Sequence, residues 1–246
     1  MKVLGGHYGA YVLPSFVSNS VAASLTTIRG RGVNPSAGQF AVGDLFVQPA
    51  WLGWNRPRVD ATAAYGFYAP IGKYDVETAT LPVVGPVKVT AIDNVGLGYW
   101  TQQLQSNVTW YTNEKRGTAV TNTITAEFNG NQRDFDVSNG NYVTWNWGVS
   151  RDAVLGSTPT NLLDVGVAGY SQWQTSDTTG SDAPRINNRH KAHAAGVQVG
   201  VIHVPWDAQV TFRMLYEYAA ENRLQGFTYC VNFGHTLRKH KPAAQP

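Results

Sequence analysis

Residues 99–112 read YWTQQLQSNVTWYT, and every second residue belongs to one chemical class. Trp100, Gln102, Leu104, Ser106, Val108 and Trp110 are mostly apolar or small, with a tryptophan at each end. Tyr99, Thr101, Gln103, Gln105, Asn107, Thr109 and Tyr111 form the other set, polar throughout, with a tyrosine at each end. Side chains alternate across a strand, so the two sets face opposite sides of a sheet. At ~3.3 Å per residue, Trp100 and Trp110 stand ~33 Å apart. A tilt of ~40° projects that span to ~25 Å, the height of the apolar band between the aromatic girdles of an outer-membrane barrel. A long strand of a soluble sandwich alternates in the same way, so the reading rests on repetition.

The alternation recurs. Candidate strands are His7–Leu13, Val21–Ile28, Asp44–Trp54, Val59–Ala69, Tyr99–Thr112, Ala119–Phe128, Tyr142–Ser150, Leu162–Thr175, Ala194–Val204, Gln209–Glu221 and Phe227–Thr236. No segment reads as a helix. On most strands the non-apolar face carries Gly, Thr, Asn and Gln with few charges, unlike the charged outer face of a soluble sheet. Charged residues make up 14% of the chain, below the ~25% of ordinary soluble domains, while aromatics reach 12%. Connections alternate between short (Asn55–Pro57, Asn113–Gly117, Pro205–Asp207) and long (Gly30–Gly43, Pro70–Leu97, Asn129–Asn141, Ser176–His190). Short turns on one side and long loops on the other are a barrel pattern.

These features predict an all-β, transmembrane, antiparallel up-and-down barrel of about 12 strands (10–12). Counting back from the last strand leaves the chain one strand short. The expectation is a missing first strand, with an unpaired edge between residues 7–13 and Phe227–Thr236, or a strand misread within Pro86–Ile92. Residues 1–238 form one domain, and residues 239–246 read as a disordered tail. No run of 18 apolar residues predicts a membrane-spanning helix. Met1 to Leu4 is followed by Gly5, Gly6 and His7, not by an apolar signal core, so an exported form requires a leader beyond this sequence. A net charge of +3 gives no argument for nucleic acid, and the single Cys230 excludes an intrachain disulfide.

Several segments occur together in order: Gly43-Asp44, Gln48-Pro49, Leu52-Gly53-Trp54, Pro70 to Asp75, Val95 to Trp100, Phe128-Asn129, Ser138-Asn139-Gly140, Val167 to Tyr170 with Gln174 and Asp177, and Glu217 with Asn222 to Gly226. Over residues 40–236 this set resembles the outer-membrane family described as "Putative MetA-pathway of phenol degradation". The resemblance implies a barrel associated with breakdown of aromatic or other hydrophobic compounds, with an uptake role and no catalytic residues. One departure is Arg133-Asp134-Phe135, where the family has Thr-Asp-Tyr before the Ser-Gly loop. A second is the tail after Arg238, where outer-membrane proteins commonly end on an aromatic residue.

Chemistry-bearing residues are few. Arg213, Glu217 and Glu221 share one strand face, and Asp60, Glu127 and Asp164 lie on the matching faces of others. Such charges either line a passage or satisfy one another inside a filled barrel. Glu217 and Glu221 are ~13 Å apart along a strand, too far for paired acid–base work on a glycosidic bond. His190 and His193 face opposite sides beside cations, a poor metal site, and there is no Gly-x-Ser-x-Gly elbow. The expected lumen-lining residues are Gln103, Glu127, Asn146, Asp164, Arg213 and Glu217. The expected interface girdle is Trp100, Trp110, Trp145, Trp173, Tyr218 and Phe227. The expected function is a porin-like passive channel in the bacterial outer membrane for small hydrophobic or aromatic solutes. Membrane lipid is the partner; no cofactor, metal or nucleic acid is involved, and the chain is not an enzyme. A plugged structural or adhesive barrel and a soluble ligand-binding β protein are the alternatives.

Overall fold

The computed structural model describes residues 2–22, 25–26, 32–33, 36–81, 85–91, 93–156, 160–183 and 188–235. The expected tail at 239–246 lies outside them. In chain order the strands are β1 (Lys2–Val3), β2 (Gly6–Leu13), β3 (Phe16–Ala22), β4 (Leu25–Thr26), β5 (Gly32–Val33), β6 (Ser36–Val42), β7 (Leu45–Asn55), β8 (Val59–Ala69) and β9 (Val76–Leu81). They continue with β10 (Gly85–Thr90), β11 (Thr101–Tyr111), β12 (Thr118–Asn129), β13 (Tyr142–Val154), β14 (Asn161–Gln174), β15 (Lys191–His203), β16 (Ala208–Glu221) and β17 (Phe227–His235). One 3-10 turn, Val204–Trp206, joins β15 to β16, and Asp207 takes the left-handed conformation that ends it. Among the described residues no helix is long and apolar enough to cross a membrane.

Eleven strands form one antiparallel sheet in the order β1-β2-β7-β8-β11-β12-β13-β14-β15-β16-β17. Its register aligns the two-residue alternation from strand to strand. Gln103 stands between Gly66 and Glu127, and Leu104 between Tyr65 and Ala126. The polar sets therefore share one face and the apolar sets the other. On the polar face Thr101, Gln103, Thr125 and Glu217 are buried. On the apolar face Leu104, Val108, Ile124, Val165, Val199 and Phe212 are exposed. The sheet curls around its polar side, since Thr109 and Tyr111 of β11 line one cavity with Ile202 and Gln209 at the β15–β16 end. A small apolar core of Ala168, Ala194 and Leu215, packed by Tyr170, sits within the concave face.

The expected closed barrel is not formed. The sheet ends at β1–β2 on one side and β17 on the other, with no strand pairing between them among the described residues. His7–Leu13 and Val21–Ile28 were expected as neighbouring strands. Instead β2 pairs directly with β7, and the intervening chain folds away as the ribbons β3–β6 and β4–β5. Part of Val21–Ile28 lies outside the described residues. Pro86–Ile92 does not supply the strand either, because β10 pairs only with β9 in a separate ribbon. Hydrocarbon cannot satisfy a free row of N–H and C=O groups, so a spanning sheet must be closed. The transmembrane, porin-like, outer-membrane and lipid-partner expectations fall with closure, and so does a channel, which needs a complete wall.

A bulge corrects one further reading. In the β15–β16 pair Ala194 faces Glu217 but His193 faces Ala219, so Tyr218 is the extra residue. Glu217 stays on the concave face while Glu221 moves to the opposite register and pairs with Lys191 at 3.1 Å. Arg213, Glu217 and Glu221 therefore do not share one face.

The short-turn end is tied by Asp60. Its carboxylate accepts from Arg116 Nη1 at 2.8 Å and Nη2 at 3.0 Å, from Tyr111 Oη at 2.9 Å and from Asn55 Nδ2 at 3.0 Å. Burial works to raise the Asp60 pKa, but the hydrogen bonds and the Arg116 charge prevail and hold it below the ordinary aspartate value.

Candidate functional site

The concave face carries its polar residues in three groups. At the long-loop end, Gln103 Nε2 donates to Glu127 Oε1 at 3.0 Å. Farther along, Arg213 Nε donates to Gln198 Oε1 at 3.0 Å, and Gln198 Nε2 donates to Asp164 at 2.6 Å. Asn146 and Arg213 line the same small cavity, about 180 Å³ in volume. The third group centres on Glu217, which accepts from the Tyr170 hydroxyl, from Arg223 Nη2 at 2.9 Å and from the Gly226 N–H at 3.1 Å. All six residues expected to line a lumen thus stand on the concave face, in separate groups and not in a single ring.

Of the expected girdle aromatics, Trp100, Trp110, Trp145, Tyr218 and Phe227 are exposed, and Trp173 is half-buried. Trp100 directly precedes β11 and Trp110 is its penultimate residue, whereas Trp145 stands between Ile124 and Ser171, inside its strand. Trp173 and Tyr218 flank His193, with ring centroids 5.7 and 6.2 Å from it. Phe227 packs on Tyr216 at 4.7 Å.

A cavity of about 510 Å³ opens where the Glu127 and Glu217 groups meet. Its walls include Tyr68, Leu97, Tyr99, Thr101, Glu127, Asn129, Tyr142, Gln172, His190 and Arg223. They come from β8, β11, β12, β13, β14 and the loops before β11 and after β14 and β16, so the cavity exists only because the sheet curls. Arg223 bridges the wall, with Nη1 donating to Gln172 Oε1 at 3.0 Å and Nη2 held by Glu217. Tyr142 Oη lies 3.3 Å from His190 Nδ1. Burial first, then the neighbouring Tyr142, Glu127 and Asp44, push the Tyr99 hydroxyl up to about 12, so it remains a neutral donor.

The loops over this cavity are tied to the sheet and to one another. Asp44, buried just before β7, accepts the Gly72 N–H at 3.0 Å and the Leu97 N–H at 2.8 Å. Gly98 has φ +76, and a Cβ there would lie 2.5 Å from the Tyr74 ring. Tyr74 joins the two long loops, since its hydroxyl accepts from Gln132 Nε2 at 2.8 Å and its carbonyl from Arg133 Nη2 at 3.0 Å. Arg133, one of the residues departing from the expected family pattern, also lies over the Tyr74 ring at 5.1 Å.

Sequence reasoning missed Tyr99, Tyr142, Gln172, His190 and Arg223 as site residues. Arg223 sat in a recognised segment, but its reach back to Glu217 depends on the turn after β16. In sequence, His190 offers only a metal-ligand reading. Among the described residues no group of three or more His, Cys, Asp or Glu could hold a metal ion.

No match is found among curated proteins. The profile of the family described as "Putative MetA-pathway of phenol degradation" matches residues 1–233. The chain belongs to that family.

Proposed function

We propose that the protein is a ligand-binding β protein that takes a small phenolic compound into the cavity at the loop end of its concave face. The observation that carries this reading is the pairing of aromatic walls with charged groups in one chamber. Tyr68, Tyr99 and Tyr142 supply ring surface, and Glu127 and Arg223 supply an acceptor and a donor. The volume of about 510 Å³ lies within the usual range for small-molecule sites. A phenol ring would stack on the tyrosines, its O–H would donate to Glu127, and its oxygen would accept from Arg223 or His190. Membership of a family linked to phenol degradation supports the same ligand class. Gln103 positions Glu127, and Glu217 positions Arg223. Asn146, Asp164 and Arg213 continue the polar face away from the chamber.

Calorimetric titration with phenol and toluene tests this. A charge-assisted hydrogen bond contributes ~1.5–3 kcal/mol, so phenol should bind this chamber roughly 10–100 times more tightly than toluene. Glu127→Leu should abolish most of that preference. Equal affinities for the two ligands in the unmodified protein would contradict the reading.

A further inference from the structure

A second chamber of about 470 Å³ adjoins the first, and Tyr99, Tyr142 and His190 wall both. The two differ in chemistry. The first carries Glu127 and Arg223, whereas the second adds Val89, Phe135 and Val137 to the shared tyrosines. Asp182 on the second wall is already engaged by the Asp136 N–H at 2.8 Å. The chamber is preformed by its loops. Ser138 and Thr179 exchange backbone hydrogen bonds of 2.7 and 2.9 Å, and Ser181 Oγ donates to Asp136 at 2.7 Å.

We infer that this loop chamber is a second binding site for small aromatic rings, which accepts the ring irrespective of a hydroxyl and stands next to the chamber that reads the hydroxyl. The inference rests on the phenol-binding reading for its ligand class. Its own support is the Val89, Phe135 and Val137 side of a wall that is otherwise polar, and the shared partition. A ring held against Phe135 and Val137 needs no hydroxyl to bind, and Asp182, the one acid on this wall, already accepts the Asp136 N–H. Tyr142 and His190, whose Oη and Nδ1 lie 3.3 Å apart, belong to the partition between the chambers. Two aromatic rings could then occupy the protein at once, one in each chamber.

Toluene, which lacks the hydroxyl, separates the two sites. Titrated into the isotope-labelled full chain, it should shift the Val89 and Val137 methyl resonances. Phe135→Ala should weaken toluene roughly tenfold through loss of the facing ring, while the Glu127-dependent affinity for phenol stays within about twofold. Phe135→Tyr preserves shape and folding, and the added hydroxyl should weaken toluene roughly threefold. Unchanged toluene affinity in both variants, or toluene shifts confined to residues around Glu127, would overturn the second site and leave the phenol reading standing. Loss of phenol preference with toluene still bound at Val137 would overturn the phenol reading instead.

Discussion

Asp44→Ala is expected to lower the unfolding free energy by ~2–4 kcal/mol, read from denaturant midpoints at unchanged slope. The buried carboxylate accepts two backbone N–H groups, from Gly72 and Leu97, that lie 25 residues apart in sequence. Alanine supplies no acceptor. Each buried donor left unsatisfied costs ~1–3 kcal/mol. Packing offers no substitute, because Gly72 and Gly96 approach so closely that a Cβ on Gly96 would lie 2.7 Å from the Gly72 carbonyl carbon. Asp44→Asn keeps one acceptor oxygen and should recover about half the loss. The same change should weaken phenol binding, because Leu97 lines the chamber and its loop is held by Asp44.

Glu217→Leu carries the second large effect, a loss of ~2–3 kcal/mol. Three donors, the Tyr170 hydroxyl, Arg223 Nη2 and the Gly226 N–H, lose their acceptor together. Removing one member of a buried ion pair costs more than the pair contributes, because the other charge stays behind. Arg223 is one-third exposed and can partly rehydrate, which keeps the loss below that of a fully buried pair. Glu217→Gln separates charge from hydrogen bonding. The Tyr170 hydroxyl is pushed up to about 12 by burial first and then by the adjacent Glu217 carboxylate. Neutralising that carboxylate removes the repulsion of a phenolate, so Tyr170 should titrate at lower pH in Glu217→Gln. Ultraviolet titration of tyrosinate absorbance reads this directly, and an unchanged titration would place the carboxylate outside the network.

Local alternation made the strands and their faces legible, because side-chain direction in a strand depends only on position. Val59–Ala69 has the same limits in sequence and structure, and β11 to β17 lie close to the expected spans. Gln103, Glu127, Asn146, Asp164, Arg213 and Glu217 could be placed on one face for the same reason. What escaped the sequence is non-local. Closure requires a hydrogen-bonded pairing between the first and last strands, and nothing in a two-residue period encodes which edges meet. The ribbon β3–β6 lacks that alternation, and its strands fall largely in segments that read as the connections Ser15–Asn19 and Gly30–Gly43. The bulge at Tyr218 shifts the register by one residue, so the simple count put Glu221 on the wrong side. The cavity walls depend on sheet curvature and on the loops that carry His190 and Arg223. Their contacts join positions 48 residues apart for Tyr142 and His190, and 51 apart for Gln172 and Arg223.

The most direct test of the phenol-binding reading is a structure of the full chain saturated with phenol. The account predicts density for a ring in the chamber walled by Tyr68 and Arg223, with its oxygen within hydrogen-bond distance of Glu127, and loss of that ring in Glu127→Leu. A ring found only on the apolar convex face, beside Val165 and Val199, or an empty chamber at saturating phenol, would contradict it.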